Sequence, residues 1–131
     1  MKIIIVDDNR AFRNTLKDFL ENRLGHTVIW ESSIGEEFLA KAPMHRADIV
    51  LMDIVMHPID GIEATHRLNI CIPWAKIIAV TMHIEKVILL ELVSNGFKGC
   101  VSKTEIFDKL EMAMNKVYSG ELFFPEDIKI K

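Results

Sequence analysis

Ile3-Ile4-Ile5-Val6, running straight into Asp7-Asp8-Asn9, is the stretch on which the fold turns. Three isoleucines and a valine in succession are β-branched and leave no polar position to face solvent. Such a run reads as a strand buried on both faces, the signature of a parallel sheet covered by helices. The pattern returns at residues 28–30, 49–52 and 77–80, and more weakly around Cys100-Val101. Between the runs the periodicity is helical. Phe12, Leu16, Phe19 and Leu20 fall at i, i+4, i+7 and i+8, and Gly25 stands where a helix C-terminus favours glycine. A second helix is expected over 34–42, stopped by Pro43, and a third over 60–70, ending before Pro73. The fourth is expected over 84–95, with Gly96 as its stop. A fifth follows the N-cap candidate Thr104 and turns Ile106, Leu110, Ala113 and Val117 inward. Alternating strands and helices with right-handed crossovers give an α/β fold. The expectation is a flavodoxin-like doubly wound (βα)5 three-layer sandwich with a five-stranded parallel sheet in the order 2-1-3-4-5. Residues 1–120 form one domain; 121–131 lose the periodicity and read as a tail.

Composition narrows the function. The 131 residues fit one domain with a core that needs no staples. Sixteen Lys and Arg against nineteen Asp and Glu leave a formal charge of −3, and no basic face is evident for nucleic acid. Direct DNA binding by these residues is therefore not expected. Cys71 and Cys100 cannot build a disulfide scaffold or a four-cysteine zinc site. The apolar runs are strand-sized, too short to span a membrane, and Lys2 precedes too few apolar residues for a signal peptide. A cytoplasmic domain without membrane contact is expected.

In a sheet of this kind, ligands bind at the carboxyl ends of the strands. Asp7 and Asp8 follow the first strand, Asp53 ends the third, Thr81 ends the fourth and Lys103 follows the fifth. Clustered carboxylates repel one another unless a cation neutralises them, and all-oxygen donors suit a hard divalent ion such as Mg²⁺. An Asp-Asp pair after a strand can also be a mere helix cap, but Asp53 and Lys103 at matching strand ends favour the cation. Lys103 and Thr81 are placed to hold an anion's oxygens. Cation, anion clamp and a free carboxylate oxygen together describe attack by an aspartate on phosphorus.

The succession Ile5-Val6-Asp7-Asp8-Asn9, Asp53-Ile54-Val55-Met56 with Asp60-Gly61, Thr81 and Lys103 resembles the response-regulator receiver domain over residues 2–119. The ending Gly96-Phe97-Lys98-Gly99, then Gly120-Glu121-Leu122-Phe123-Phe124-Pro125-Glu126, is similar to the NarL/FixJ-type subfamily, whose receivers precede a LuxR-type helix-turn-helix domain. The resemblance implies that Asp53 is the phosphoacceptor, taking its phosphoryl group from a histidine kinase or phosphotransfer protein. It implies Mg²⁺ held by Asp8, Asp53 and the backbone carbonyl of Val55, with Asp7 acting through water. Thr81 and Lys103 would bind the phosphoryl oxygens. Val55 and His83 would flank the path of attacking water and modulate the site entrance. Residues 121–131 would then be a tail or the start of a linker to a DNA-binding output domain. Such a domain catalyses only its own phosphorylation and dephosphorylation and is not a metabolic enzyme.

Two residues depart from the family pattern. His57 separates Met56 from Pro58, where proline usually follows directly, and Cys100 stands where most receivers carry a switching Tyr or Phe. These departures keep a second reading in play, a pseudo-receiver that binds without being phosphorylated. A haloacid-dehalogenase-type phosphatase fits less well, because Asp7-Asp8-Asn9 lacks the Asp-x-Asp spacing. A dinucleotide site lacks its glycine-rich turn. Ile84, Val87, Ile88, Leu89, Leu90, Leu92 and Val93 on helix four wrap beyond one stripe, and Phe107, Met114 and Tyr118 on helix five add to its core stripe; the extra apolar residues are either half-buried or a partner surface. The partner expected there is a second copy, in a homodimer through helices four and five.

Overall fold

In the computed structural model, residues 1–33, 35–56, 60–82, 84, 87 and 89–125 are described. Ile34, His57, His83, Ile88 and residues 126–131, on which some expectations rest, lie outside them. The five strands are β1 (Lys2–Val6), β2 (Thr27–Ser32), β3 (Ile49–Met52), β4 (Ile77–Thr81) and β5 (Gly99–Ser102). All pair in parallel, in the order β2-β1-β3-β4-β5. The strand alternation sorts the core into two layers. Ile4, Val6, Val50, Met52, Ile77, Ala79 and Cys100 face one side, and Ile3, Ile5, Ile49, Leu51, Ile78, Val80 and Val101 the other. Every one of these is buried. Each large side chain withdrawn from water contributes roughly 1.5–3 kcal/mol. That is why so short a run as Ile49–Met52 holds the middle of the sheet.

Helices α2 (Gly35–Lys41), α3 (Gly61–Cys71) and α4 (Leu89–Ser94) cover the first face through Phe38, Ala64, Leu68 and Leu92. Helices α1 (Arg10–Asp18) and α5 (Ile106–Tyr118) cover the second through Leu16, Leu110, Ala113, Met114 and Val117. Helix α1 starts under an Asn9 cap, whose side-chain oxygen accepts from the Phe12 amide at 2.9 Å. It continues as a wider-wound turn, Phe19–Arg23, and ends at Gly25 with φ +76°.

Three features depart from expectation. The second strand is only half-buried, because β2 is a sheet edge with a neighbour on one side alone. Its register also slips, Ile3 facing Val28 and Ile4 facing Trp30. The fourth helix begins at Leu89 rather than 84; Val87 is buried in the core, its amide donating to the Ile84 carbonyl at 3.2 Å. Met114 is fully buried, so it belongs to the core and not to an outer surface. After α5 the chain reverses at Gly120, φ +99°, and 121–125 run back up the outer side of β5. The Phe123 amide donates to the Lys98 carbonyl at 3.0 Å, and the Phe123 carbonyl accepts from the Cys100 amide at 2.9 Å. Phe123 packs into the α1/α5 layer and Phe124 into the opposite one.

Candidate functional site

The strands deliver their carboxyl ends to one edge. The Asp7 amide donates to the Ser32 carbonyl at 3.0 Å and the Asp53 amide to the Val6 carbonyl at 2.9 Å, so the β1 and β3 ladders run to the first acidic residue of each loop. Carboxylate oxygens of Asp7, Asp8 and Asp53 lie within 4.8 Å of one another, the first and third buried and the second exposed. Lys103 follows β5 and extends over this cluster. Its Nζ is 2.7 Å from Asp7 Oδ2, 3.7 Å from Asp53 Oδ2, and 4.4 Å from the centre of the Phe12 ring. A cleft of about 250 Å³ opens here, lined by Asp8, Asn9, Asp53, Val55, Met82 and Lys103.

Electrostatics at Asp53 follow from this crowding. Burial, reinforced by the negative charges of Asp7 and Asp8, pushes its carboxyl up from 3.8 to about 6. The Lys103 ammonium and a backbone hydrogen bond from Val55 pull in the other direction and are outweighed. Three carboxylates to one ammonium leave the cluster short of positive charge. With only oxygen donors, two of them buried, the set fits a small hard divalent cation such as Mg²⁺. Asp53 is held in place from behind by Gly61, whose amide donates to the Ile54 carbonyl at 2.8 Å. Asp60 caps α3 by accepting from the Glu63 amide at 2.8 Å, which fixes where that glycine lies.

The structure thus brings together Asp7, Asp8, Asp53, Val55 and Lys103. Val55 lies at the cleft mouth, about half-exposed. Thr81 is fully buried at the end of β4, paired with Ser102 in the ladder, and among the described residues of that strand end it is Met82 that borders the cleft. Cys100 is fully buried within β5, and burial raises its thiol to about 12, so it is a packing residue and no nucleophile. His83 and His57 lie outside the described residues.

Of the apolar residues expected on an outer surface, Leu90 and Val93 on α4 and Phe107 and Tyr118 on α5 are exposed, while Leu89 is half-buried. Phe107 stacks edge-on to Phe19 of the first helical segment at 4.9 Å, with the Arg23 guanidinium over both rings, and Tyr118 lies under Lys76 at 5.0 Å.

Two site residues escape a reading of strand ends alone, Phe12 under Lys103 and Arg13 on the Asp7 carbonyl. Helical side chains lean towards the helix N-terminus, so the first turn after a strand-end motif points back over it. That lean is the signal that could have found them.

Comparison with known proteins agrees with this geometry. Residues 3–115 match the response regulator receiver domain. The chain is 28% identical over all its 131 residues to the response regulator VraR of Staphylococcus epidermidis, covering 63% of that protein. It is 31% identical over 128 residues to the response regulator UvrY of Escherichia coli K12, covering 98% of this chain and 59% of that one. The chain therefore spans about three-fifths of the length of these relatives. The crystal structure of a LuxR-family two-component response regulator from Aurantimonas sp. SI85-9A1 superposes with a TM-score of 0.86 at 28% identity, over 97% of this chain and 91% of that one. Among the described residues, no helix is long and apolar enough to cross a membrane.

Proposed function

The chain belongs to the response-regulator receiver family, of the NarL/FixJ type, and on that premise we propose that it is the phosphoacceptor switch of a two-component pathway. The observation that carries this reading is the convergence of Asp7, Asp8 and Asp53 with Lys103 at the cleft. A carboxyl titrating near 6 is mostly ionised at pH 7, so an Asp53 oxygen is available to attack phosphorus. In the proposed step a new Asp53 O–P bond forms as the P–N bond to a partner's phosphohistidine breaks. The leaving imidazole keeps the bonding electron pair. Mg²⁺, held by Asp8, Asp53 and the Val55 carbonyl with Asp7 behind, would neutralise charge developing on the phosphoryl oxygens. Lys103 then exchanges Asp7 for the phosphoryl oxygens, and the Thr81 hydroxyl turns towards them. Movement at these two residues biases a two-state arrangement of α4 and β5. Output is assigned to a DNA-binding domain following the receiver, with self-association through α4 and α5, in the cytoplasm.

Intact-mass measurement after acetyl phosphate with Mg²⁺ tests the reading. Wild type should gain one phosphoryl group and Asp53→Asn none; an undiminished gain in the variant would end the assignment. Asp8→Ala should weaken Mg²⁺ binding at least tenfold, read from amide chemical shifts on titration, because it removes a direct ligand. Unchanged Mg²⁺ titration in that variant would contradict the ligand set.

A further inference from the structure

Arg13 stands outside the acidic cluster and no step above uses it, yet it is bonded directly to the backbone of the cluster. Its Nη1 donates to the main-chain carbonyl of Asp7. Its Nε faces Glu31 Oε1 of β2 at 3.5 Å, and Lys17 Nζ approaches the other Glu31 oxygen at 3.3 Å. The arginine is mostly buried, 16% exposed, so the contact is shielded from solvent.

The turn it grips is also anchored through Asn9, whose side-chain oxygen accepts from the Phe12 amide at 2.9 Å and whose carbonyl accepts from the Arg13 amide at 3.0 Å, and through Asp7. The Asp7 amide goes to Ser32, one carboxylate oxygen accepts from the Asn9 amide at 2.8 Å, and the other meets Lys103. Asp8, whose carboxylate must face the cation, is exposed. The Asp7–Asp8 peptide plane sets the direction in which Asp8 leaves the backbone. One end of that plane is the carbonyl that Arg13 holds.

We propose that Arg13 is a positioning residue for the cation site. By bridging the Asp7 carbonyl to Glu31 it locks the Asp7–Asp8 peptide and so presents the Asp8 carboxylate to Mg²⁺. The inference rests on the phosphoacceptor reading above but concerns a residue that touches neither cation nor phosphoryl group. A planar fork with separate donors can reach a carbonyl and a carboxylate together, whereas a lysine ammonium is a single point.

The direction of the effect separates this role from simple charge. Removing a cation near a cation site should by Coulomb's law tighten Mg²⁺ binding. Losing a positioning partner should weaken it, by roughly tenfold as for other residues that orient metal ligands. Arg13→Gln and Arg13→Lys are therefore both expected to bind Mg²⁺ about tenfold more weakly, measured by calorimetric titration, with Asp8→Ala alongside. In Mg²⁺-free buffer the Asn9 amide of Arg13→Gln should exchange faster, while the Asp7 and Asp53 amides keep their protection.

Mg²⁺ binding that is unchanged or tighter in Arg13→Gln overturns the proposal, as does wild-type binding in Arg13→Lys. Equal loss of protection at all three amides would mark general loosening and overturn local positioning. If Asp8→Ala also binds Mg²⁺ as wild type does, the cation site itself is misassigned. If only the Arg13 variants do, the site stands and the positioning role falls.

Discussion

Gly61→Ala should destabilise the fold by about 3 kcal/mol and slow phosphorylation of whatever remains folded by about 100-fold. A methyl group built on Gly61 would lie 1.9 Å from the Asp53 carbonyl oxygen, 2.8 Å from its carbonyl carbon and 2.9 Å from Met52 Cγ. The first two are backbone atoms of the strand end and cannot swing aside. Relief has to come from moving the start of α3, breaking the bond from Gly61 to Ile54, or from moving Asp53 itself. Overpacking of this kind costs roughly 1–3 kcal/mol and more where backbone must shift. A displacement of about 1 Å at a reacting group can cost two orders of magnitude in rate. Urea denaturation and the rate of phosphoryl uptake from acetyl phosphate measure the two parts. A variant as stable and as fast as wild type would mean that α3 yields freely.

Asp53→Asn should act in the opposite direction on stability. In buffer free of divalent cations the variant is expected to be more stable than wild type by about 1–3 kcal/mol at pH 7. The folded Asp53 carboxyl titrates near 6 against an ordinary 3.8, so the native state holds its proton over a range where the unfolded chain has lost it. Between about pH 4 and 6 the native state binds more protons, and wild-type stability falls as pH rises through that window. Above pH 6 the whole cost is present, roughly 3 kcal/mol for a displacement of this size. Asparagine keeps the shape and removes the charge, at the expense of the 3.7 Å pairing with Lys103. Thermal or urea unfolding of both proteins between pH 4.5 and 8 should show the gap closing towards acid. Saturating Mg²⁺ should close it at neutral pH too, because the cation stabilises the ionised wild-type site. A gap of constant size, or none, would contradict the charge account.

Much of this was readable along the chain, and the reasons are local. Ile3–Val6 and Ile49–Met52 can only be buried on both faces, and acids placed directly after such runs must emerge at one sheet edge. Asp60 and Gly61 likewise declare a capped helix start. What stayed hidden depends on residues distant in sequence. Phe12 reads as one more core position until Lys103 is laid over its ring. Arg13 reads as surface charge until β2 brings Glu31 alongside. Val87 fits a helical pattern as well as any neighbour, yet the core takes it ahead of α4. Phe107 and Tyr118 are exposed as their spacing suggests, and only the fold shows Arg23 and Lys76 over their rings.

The segment beyond α5 has a consequence for how copies of this domain avoid one another. A buried parallel sheet ends in two margins, and an uncovered margin is a template on which another chain can add a strand. At β5 the Cys100 amide is already occupied by the Phe123 carbonyl, while Phe123 and Phe124 straddle the margin and fall into opposite layers. Pro125 comes next in the segment and has no amide hydrogen to donate, so the added pairing cannot lengthen by its own donors. The borrowed rung is thus self-limiting: it closes the sheet without founding a new one. Cutting the chain after Tyr118 would bare the β5 backbone and two apolar clefts together, turning a quiet margin into a seed for edge-to-edge aggregation.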